Sequence, residues 1–96
     1  MSQVWIDGQL IDKNDARISV FDHGLLYGDG VWEGLRVYHG APFRVREHVA
    51  QLFVSAEATE LRVPLSADQI AAAIELTLRA NHRVEGYVRI IVTRGA

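Results

Sequence analysis

An α+β domain, with a mostly antiparallel sheet and two helices packed on one face of it, is the fold this sequence predicts. The first half alternates short β-rich runs with turn dipeptides. The middle switches twice to helical periodicity. The last stretch, Tyr87 to Thr93, returns to β-branched and aromatic residues. Strands, then helices, then a strand imply a layered α+β domain rather than alternating parallel units.

Each element follows from local chemistry. Val4-Trp5-Ile6 and Gln9-Leu10-Ile11 flank Asp7-Gly8, a dipeptide suited to a tight hairpin. Lys13-Asn14-Asp15 is a turn, and Ala16 to Phe21 reads as a third strand with Ile18 and Val20 on one face. Asp22 to Gly30 carries three glycines and no clean period, so it reads as a loop or short helical turn. Val31 to Tyr38 is a strand, His39-Gly40 a turn and Ala41 to Arg44 a short return strand. Val49, Leu52, Phe53 and Ala56 then form a helical stripe, which ends in the Leu61 to Leu65 segment around Pro64. Ser66 with Gln69 is a capping-box signature for a second helix. Its buried stripe is read as Ile70, Ala73, Ile74 and Thr77, and its end lies near Asn81-His82.

Ninety-six residues make one small domain, residues 1–96, with a thin core. Apolar residues are 49% and charged residues 23%, an ordinary globular balance. A net charge of −2 offers no basic field for nucleic acid. No cysteine is present, which excludes disulfides and thiolate metal sites. The four histidines have no metal-like spacing, so no metal site is expected. MSQVWIDG reads as no signal peptide, and no apolar run suffices to cross a bilayer, so a cytoplasmic setting is the expectation. Of ten lysine and arginine residues, only Lys13 is lysine.

Strand alternation places Val31, Glu33, Leu35 and Val37 on one face and Trp32, Gly34, Arg36 and Tyr38 on the other. In the last strand Val88, Ile90 and Val92 oppose Tyr87, Arg89, Ile91 and Thr93. The face with aromatic and arginine groups is either the solvent side of a sheet or the lining of a pocket for a planar, anionic ligand. Arginine supports the second through paired hydrogen bonds to carboxylates, and Trp and Tyr through flat surfaces with polar tips. At Gly34, the missing side chain allows a close approach to the backbone.

The run from Phe21 to Tyr38, FDHGLLYGDGVWEGLRVY, resembles the N-terminal signature of the class IV (fold type IV) pyridoxal-phosphate aminotransferases. These include branched-chain amino-acid aminotransferases, D-amino-acid aminotransferases and aminodeoxychorismate lyases. Pro42 to His48, Ser55 to Glu57 and Tyr87 to Gly95 resemble the family's later motifs in the family's order. The Glu33-Gly34-Leu35-Arg36 run and the Tyr87-Val88-Arg89 run are most similar to the branched-chain type. The resemblance implies the N-terminal small domain of such an enzyme, about its first third.

The resemblance also implies roles. Tyr27, Trp32, Arg36, Tyr87 and Arg89 match substrate-pocket positions, with Trp32 toward the hydrophobic side-chain pocket. Tyr27, Tyr87 and Arg89 match a polar network near the substrate's carboxylates. Tyr27 packing between loop and sheet, and Arg36 as a surface ion-pair partner, are the alternative readings. Glu33 and His48 read as structural. Gln51 stands where the family usually has an arginine for the cofactor phosphate, and Arg44 or Arg46 are the candidates to compensate.

The implied cofactor is pyridoxal 5′-phosphate, held through a lysine in the C-terminal domain; Lys13 matches no family lysine. No catalytic residue is therefore expected in these 96 residues, and the chain alone is expected to be inactive. The implied partners are an amino acid and a 2-keto acid, the C-terminal domain and a second copy in a homodimer. A free-standing ligand-binding or dimerising module is the rival from another class. Exposed apolar surface is expected where another domain would sit.

Overall fold

The computed structural model describes residues 2–96. Two strands, β1 (Gln3–Ile6) and β2 (Gln9–Asp12), form an antiparallel hairpin across Asp7 and Gly8. Both turn residues have positive φ, the mirror-image turn whose twist matches a hairpin. After Lys13-Asn14-Asp15, the third strand expected over Ala16 to Phe21 does not form. Strand geometry requires a neighbour for its backbone hydrogen bonds, and none of the described strands pairs with this segment. Ile18 and Phe21 are left 61% and 70% exposed.

A short helix, α1 (His23–Tyr27), follows. Asp22 caps it, one carboxylate oxygen accepting from Gly24 N at 2.8 Å and the other from Thr93 Oγ1 at 3.1 Å. At its other end Gly28 takes the left-handed conformation of a C-cap.

The long strand β3 (Gly30–Tyr38) pairs antiparallel with β4 (Ala41–Pro42) and with β5 (Gly86–Thr93). The strands thus form two separate sheets, one of them this three-stranded β4-β3-β5 sheet. The return strand is shorter than the sequence predicts, because Arg44 adopts φ 55° and turns the chain into α2 (Val45–Ala58).

Helix α3 (Ala67–Ala80) starts with the expected capping box: Ser66 Oγ accepts from Gln69 N at 3.1 Å, and Gln69 Oε1 accepts from Ser66 N at 2.8 Å. Its fully buried stripe is Ile70, Ile74 and Leu78. Thr77 is only partly buried, and its hydroxyl donates to Ala73 O at 2.7 Å. Asn81 ties α3 to the hairpin, accepting from Gln3 N at 2.6 Å and donating to Gln3 O at 3.0 Å.

Helix α2 packs on β3, and α3 packs on α2. The core between them is Val31, Leu35 and Val37 of β3, Val49, Leu52 and Ala56 of α2, Leu61, and the α3 stripe. Glu33 lies on this inner side of β3, where its carboxylate meets His48 Nδ1 at 2.8 Å, linking β3 to the first turns of α2. The helices thus cover one face of the larger sheet, and the other face carries Trp32, Arg36, Tyr87 and Arg89 in the open.

A second tie lies at the far end of that sheet. Arg94 Nε and Nη2 donate to the two Asp29 oxygens at 2.7 and 3.1 Å, and Arg94 also donates to Thr59 O and Glu60 O at 3.0 and 3.1 Å. One guanidinium therefore joins the α1–β3 loop, the end of α2 and the end of β5. The Arg94 hydrogen bonds hold the Asp29 carboxyl below its ordinary value of 3.8, and the arginine's charge adds to this. A lowered folded-state pKa contributes stability that is fully present above the unfolded value and lost as pH falls through the folded one. Asp29→Asn is therefore expected to lower the urea midpoint near neutral pH. The gap from wild type should close as pH drops below 3.8. A gap of constant size across that range would show that the Asp29 charge contributes nothing.

Candidate functional site

The β3–β5 register builds the site. Trp32 pairs with Ile91, Gly34 with Arg89 and Arg36 with Tyr87. Side chains at these positions share one face and alternate along it, so two arginines and two large aromatics form a checkered array. The Arg89 guanidinium lies over the Trp32 ring, 4.1 Å from its centroid. The Tyr87 ring lies across Gly34. A Cβ on Gly34 would run into the Tyr87 hydroxyl and lie 2.5 Å from Tyr87 Cζ. The close approach expected at Gly34 is thus made by Tyr87 of this chain.

Arg36 is exposed and makes no ion pair or side-chain hydrogen bond among the described residues. It is not the surface ion-pair partner that strand pattern alone allows. Arg89 has no carboxylate partner either, and its recorded contact is the indole. Tyr38 closes the row by edge-to-face contact with Phe43 at 5.6 Å. The face combines apolar ring surface with two arginines whose charges are not met within the described chain. Such an arrangement suits a small ligand with carboxylate and apolar parts.

Not every sequence-predicted residue joins this array. Tyr27 ends α1, is 74% exposed and contacts the His23 ring edge-to-face at 5.4 Å. It does not pack between loop and sheet, nor does it make ring contact with Trp32 or Tyr87. Gln51 is exposed on α2, the helix that packs on the opposite side of β3. Arg46 pairs with Asp68 at 3.2 Å; Arg44 lies 3.8 Å from Glu47 and 5.4 Å from the Phe43 ring centroid. Lys13 is exposed in the turn after β2, where its backbone N donates to Ser2 O at 3.0 Å.

Sequence reasoning missed the Asp29–Arg94 tie and the Asp22–Thr93 bond. The partners are 65 and 71 residues apart, and only the Gly30–Thr93 pairing brings them together. Surface hollows of about 260 and 590 Å³ lie elsewhere, beside Trp5 and Leu76 and beside Arg79 and Arg83. Among the described residues no cluster of His, Cys, Asp or Glu could hold a metal ion, and no helix is long and apolar enough to cross a membrane.

The family Amino-transferase class IV matches residues 30–96, the sheet face and both long helices included. The chain belongs to the class IV aminotransferases. It is 43% identical over 93 residues to a putative branched-chain-amino-acid aminotransferase of Methanocaldococcus jannaschii, covering 97% of this chain and 32% of that protein. It is 34% identical to a D-alanine aminotransferase of Staphylococcus epidermidis, covering 100% of this chain and 34% of that one. Among solved structures it is similar to the branched-chain amino acid aminotransferase of Escherichia coli. The TM-score there is 0.92 at 32% identity, covering 98% of this chain and 33% of that one.

This class IV aminotransferase chain therefore spans about a third of the length of the relatives it matches. Its α+β fold of antiparallel sheets and helices is that of the corresponding third of the solved relative.

Proposed function

We infer that this chain is the N-terminal small domain of a pyridoxal-phosphate-dependent aminotransferase that moves an amino group between a branched-chain amino acid and a 2-keto acid such as 2-oxoglutarate. The observation that carries this is the open face on which Trp32, Tyr87, Arg36 and Arg89 stand together. The indole offers a surface for an aliphatic side chain. The arginines offer paired donors for carboxylates. Tyr27, at the end of α1, is proposed to reach the substrate from the side.

The residues of this chain do not fit a covalent hold on pyridoxal phosphate. Lys13 is exposed in a turn, and Gln51 carries no charge for the phosphate. When bound, that cofactor supplies the electron sink for amine transfer. Its lysine and the main phosphate contacts are proposed to lie in the C-terminal domain. Gln51 is proposed to face the phosphate as a neutral donor. Arg44 and Arg46, which lie 3.8 Å from Glu47 and 3.2 Å from Asp68, are the candidates to supply the missing charge.

The exposed Leu25 and Leu26 on α1, with Ile18 and Phe21 before it, support contact with the C-terminal domain or a second copy in a homodimer. A cytoplasmic setting is part of the same proposal. The relatives that are D-alanine aminotransferases favour a second reading, transfer from a D-amino acid. L-leucine and D-alanine as alternative donors separate the two.

The test is Arg89→Ala in the complete enzyme. With glutamate as donor, kcat/KM is expected to fall about tenfold to a hundredfold, since a hydrogen-bonded charge is lost. Unchanged activity with glutamate would remove Arg89 from the substrate site.

A further inference from the structure

We propose that Trp32 is the positioning residue for Arg89, and that its aromatic ring sets how well the site accepts a dicarboxylic substrate relative to a branched monocarboxylic one. This rests on the proposed transaminase reading of the β3–β5 face. A guanidinium donates hydrogen bonds only in its own plane, so a ring stacked on its flat face restrains it without using any of its donors. Arg89 lies over such a ring: its guanidinium carbon is 4.1 Å from the Trp32 ring centroid, and no carboxylate of the described chain pairs with it. Directly across lies Gly34, which has no side chain to pack against, and the space over Gly34 is filled by the Tyr87 ring.

Unstacked, Arg89 would be a long, exposed side chain free to sample many rotamers. Ordering it on binding would then weaken the carboxylate contact. Stacked, its donors are already arranged at the surface for the far carboxylate of a substrate such as glutamate. The ring does no work of this kind for a branched aliphatic group, which needs only apolar surface. Loss of the ring should thus weaken one substrate class selectively.

The experiment uses the complete enzyme and two unreactive ligands, glutarate and 4-methylpentanoate, with binding measured by calorimetry. Trp32→Leu is expected to weaken glutarate about tenfold and 4-methylpentanoate less than about threefold, the scale of a cation–π contact. Trp32→Phe, which keeps a ring, should recover most of the glutarate affinity. In turnover, kcat/KM should fall more for glutamate than for leucine in Trp32→Leu, and Trp32→Phe should restore most of the glutamate value. Trp32 is half-exposed, so both variants should fold, which melting curves check. Equal weakening of both ligands, or no change in either, would overturn the positioning role. An enzyme that transfers no amine from leucine but binds glutarate in a Trp32-dependent way would refute the proposed reaction and leave the positioning role standing.

Discussion

Leu52→Ala is expected to destabilise this chain by about 3 kcal/mol, the middle of the range for emptying a filled core site. Leu52 is 0% exposed and sits on α2 where that helix meets both β3 and α3. Truncation removes its burial energy and leaves a hole in the core that it shares with Leu35, Val49, Ala56 and the α3 stripe. Two helices and a sheet fix the walls from three sides, so little collapse can refill the space. A domain of this size has a total stability of roughly 5–14 kcal/mol, so one such loss is a large share of it. Urea denaturation gives the value directly. Val54→Ala on the same helix is the control: Val54 is 58% exposed, and its truncation should change stability by about 0.5 kcal/mol or less. Similar losses at both positions would mean that α2 is not packed as described.

Gly34→Ala is expected to separate stability from function. The new Cβ would occupy the place of the Tyr87 hydroxyl end. Tyr87 is half-exposed and its ring can swing outward, so the fold should lose only about 1 kcal/mol. The site loses more. Tyr87 leaves its position between Arg36 and Arg89, and the carboxylate-binding edge is rearranged by about an ångström or more. Misplacement on that scale can lower kcat/KM by about a hundredfold. Two measurements on the complete enzyme, a melting curve and kcat/KM with leucine, should therefore move by very different amounts. In a Tyr87→Ala background the clash has no partner, and Gly34→Ala should then cause little further loss in either measurement. A full loss of the original size in that background would show that Gly34 itself, rather than its contact with Tyr87, is required.

The helices are legible in the sequence because their signals are local. The Ser66–Gln69 box and the Val49, Leu52 and Ala56 spacing need no distant residue to be read, and α2 and α3 form where they indicate. The Asp7-Gly8 hairpin is legible for the same reason. Ala16 to Phe21 misleads because composition reports a preference for extended backbone, while a strand also needs a neighbour with an open edge. Spacing puts Thr77 in the stripe of α3, yet Leu78 is the buried residue, because the helix packs on α2 through Ile70, Ile74 and Leu78.

The candidate site divides along the same line. Alternation along each strand already separates Trp32, Gly34, Arg36 and Tyr38 from the core residues, and Tyr87 and Arg89 from Val88 and Ile90; the structure keeps both divisions. Family membership is also written in the order of motifs. Register is not. That Arg89 faces Gly34, stacks on Trp32 and leaves the Gly34 backbone to Tyr87 depends on which residues of β3 and β5 pair, and these lie on strands separated in the chain by both long helices. A shift of one residue would turn these side chains into the core, and the packing of Val31, Leu35 and Val37, with Val88, Ile90 and Val92, against that core opposes it. The sequence alone determined which face carries the arginines and aromatics, through the two-residue period of a strand. The tertiary structure decided which of them touch, because the helices bury the other face and lock the pairing.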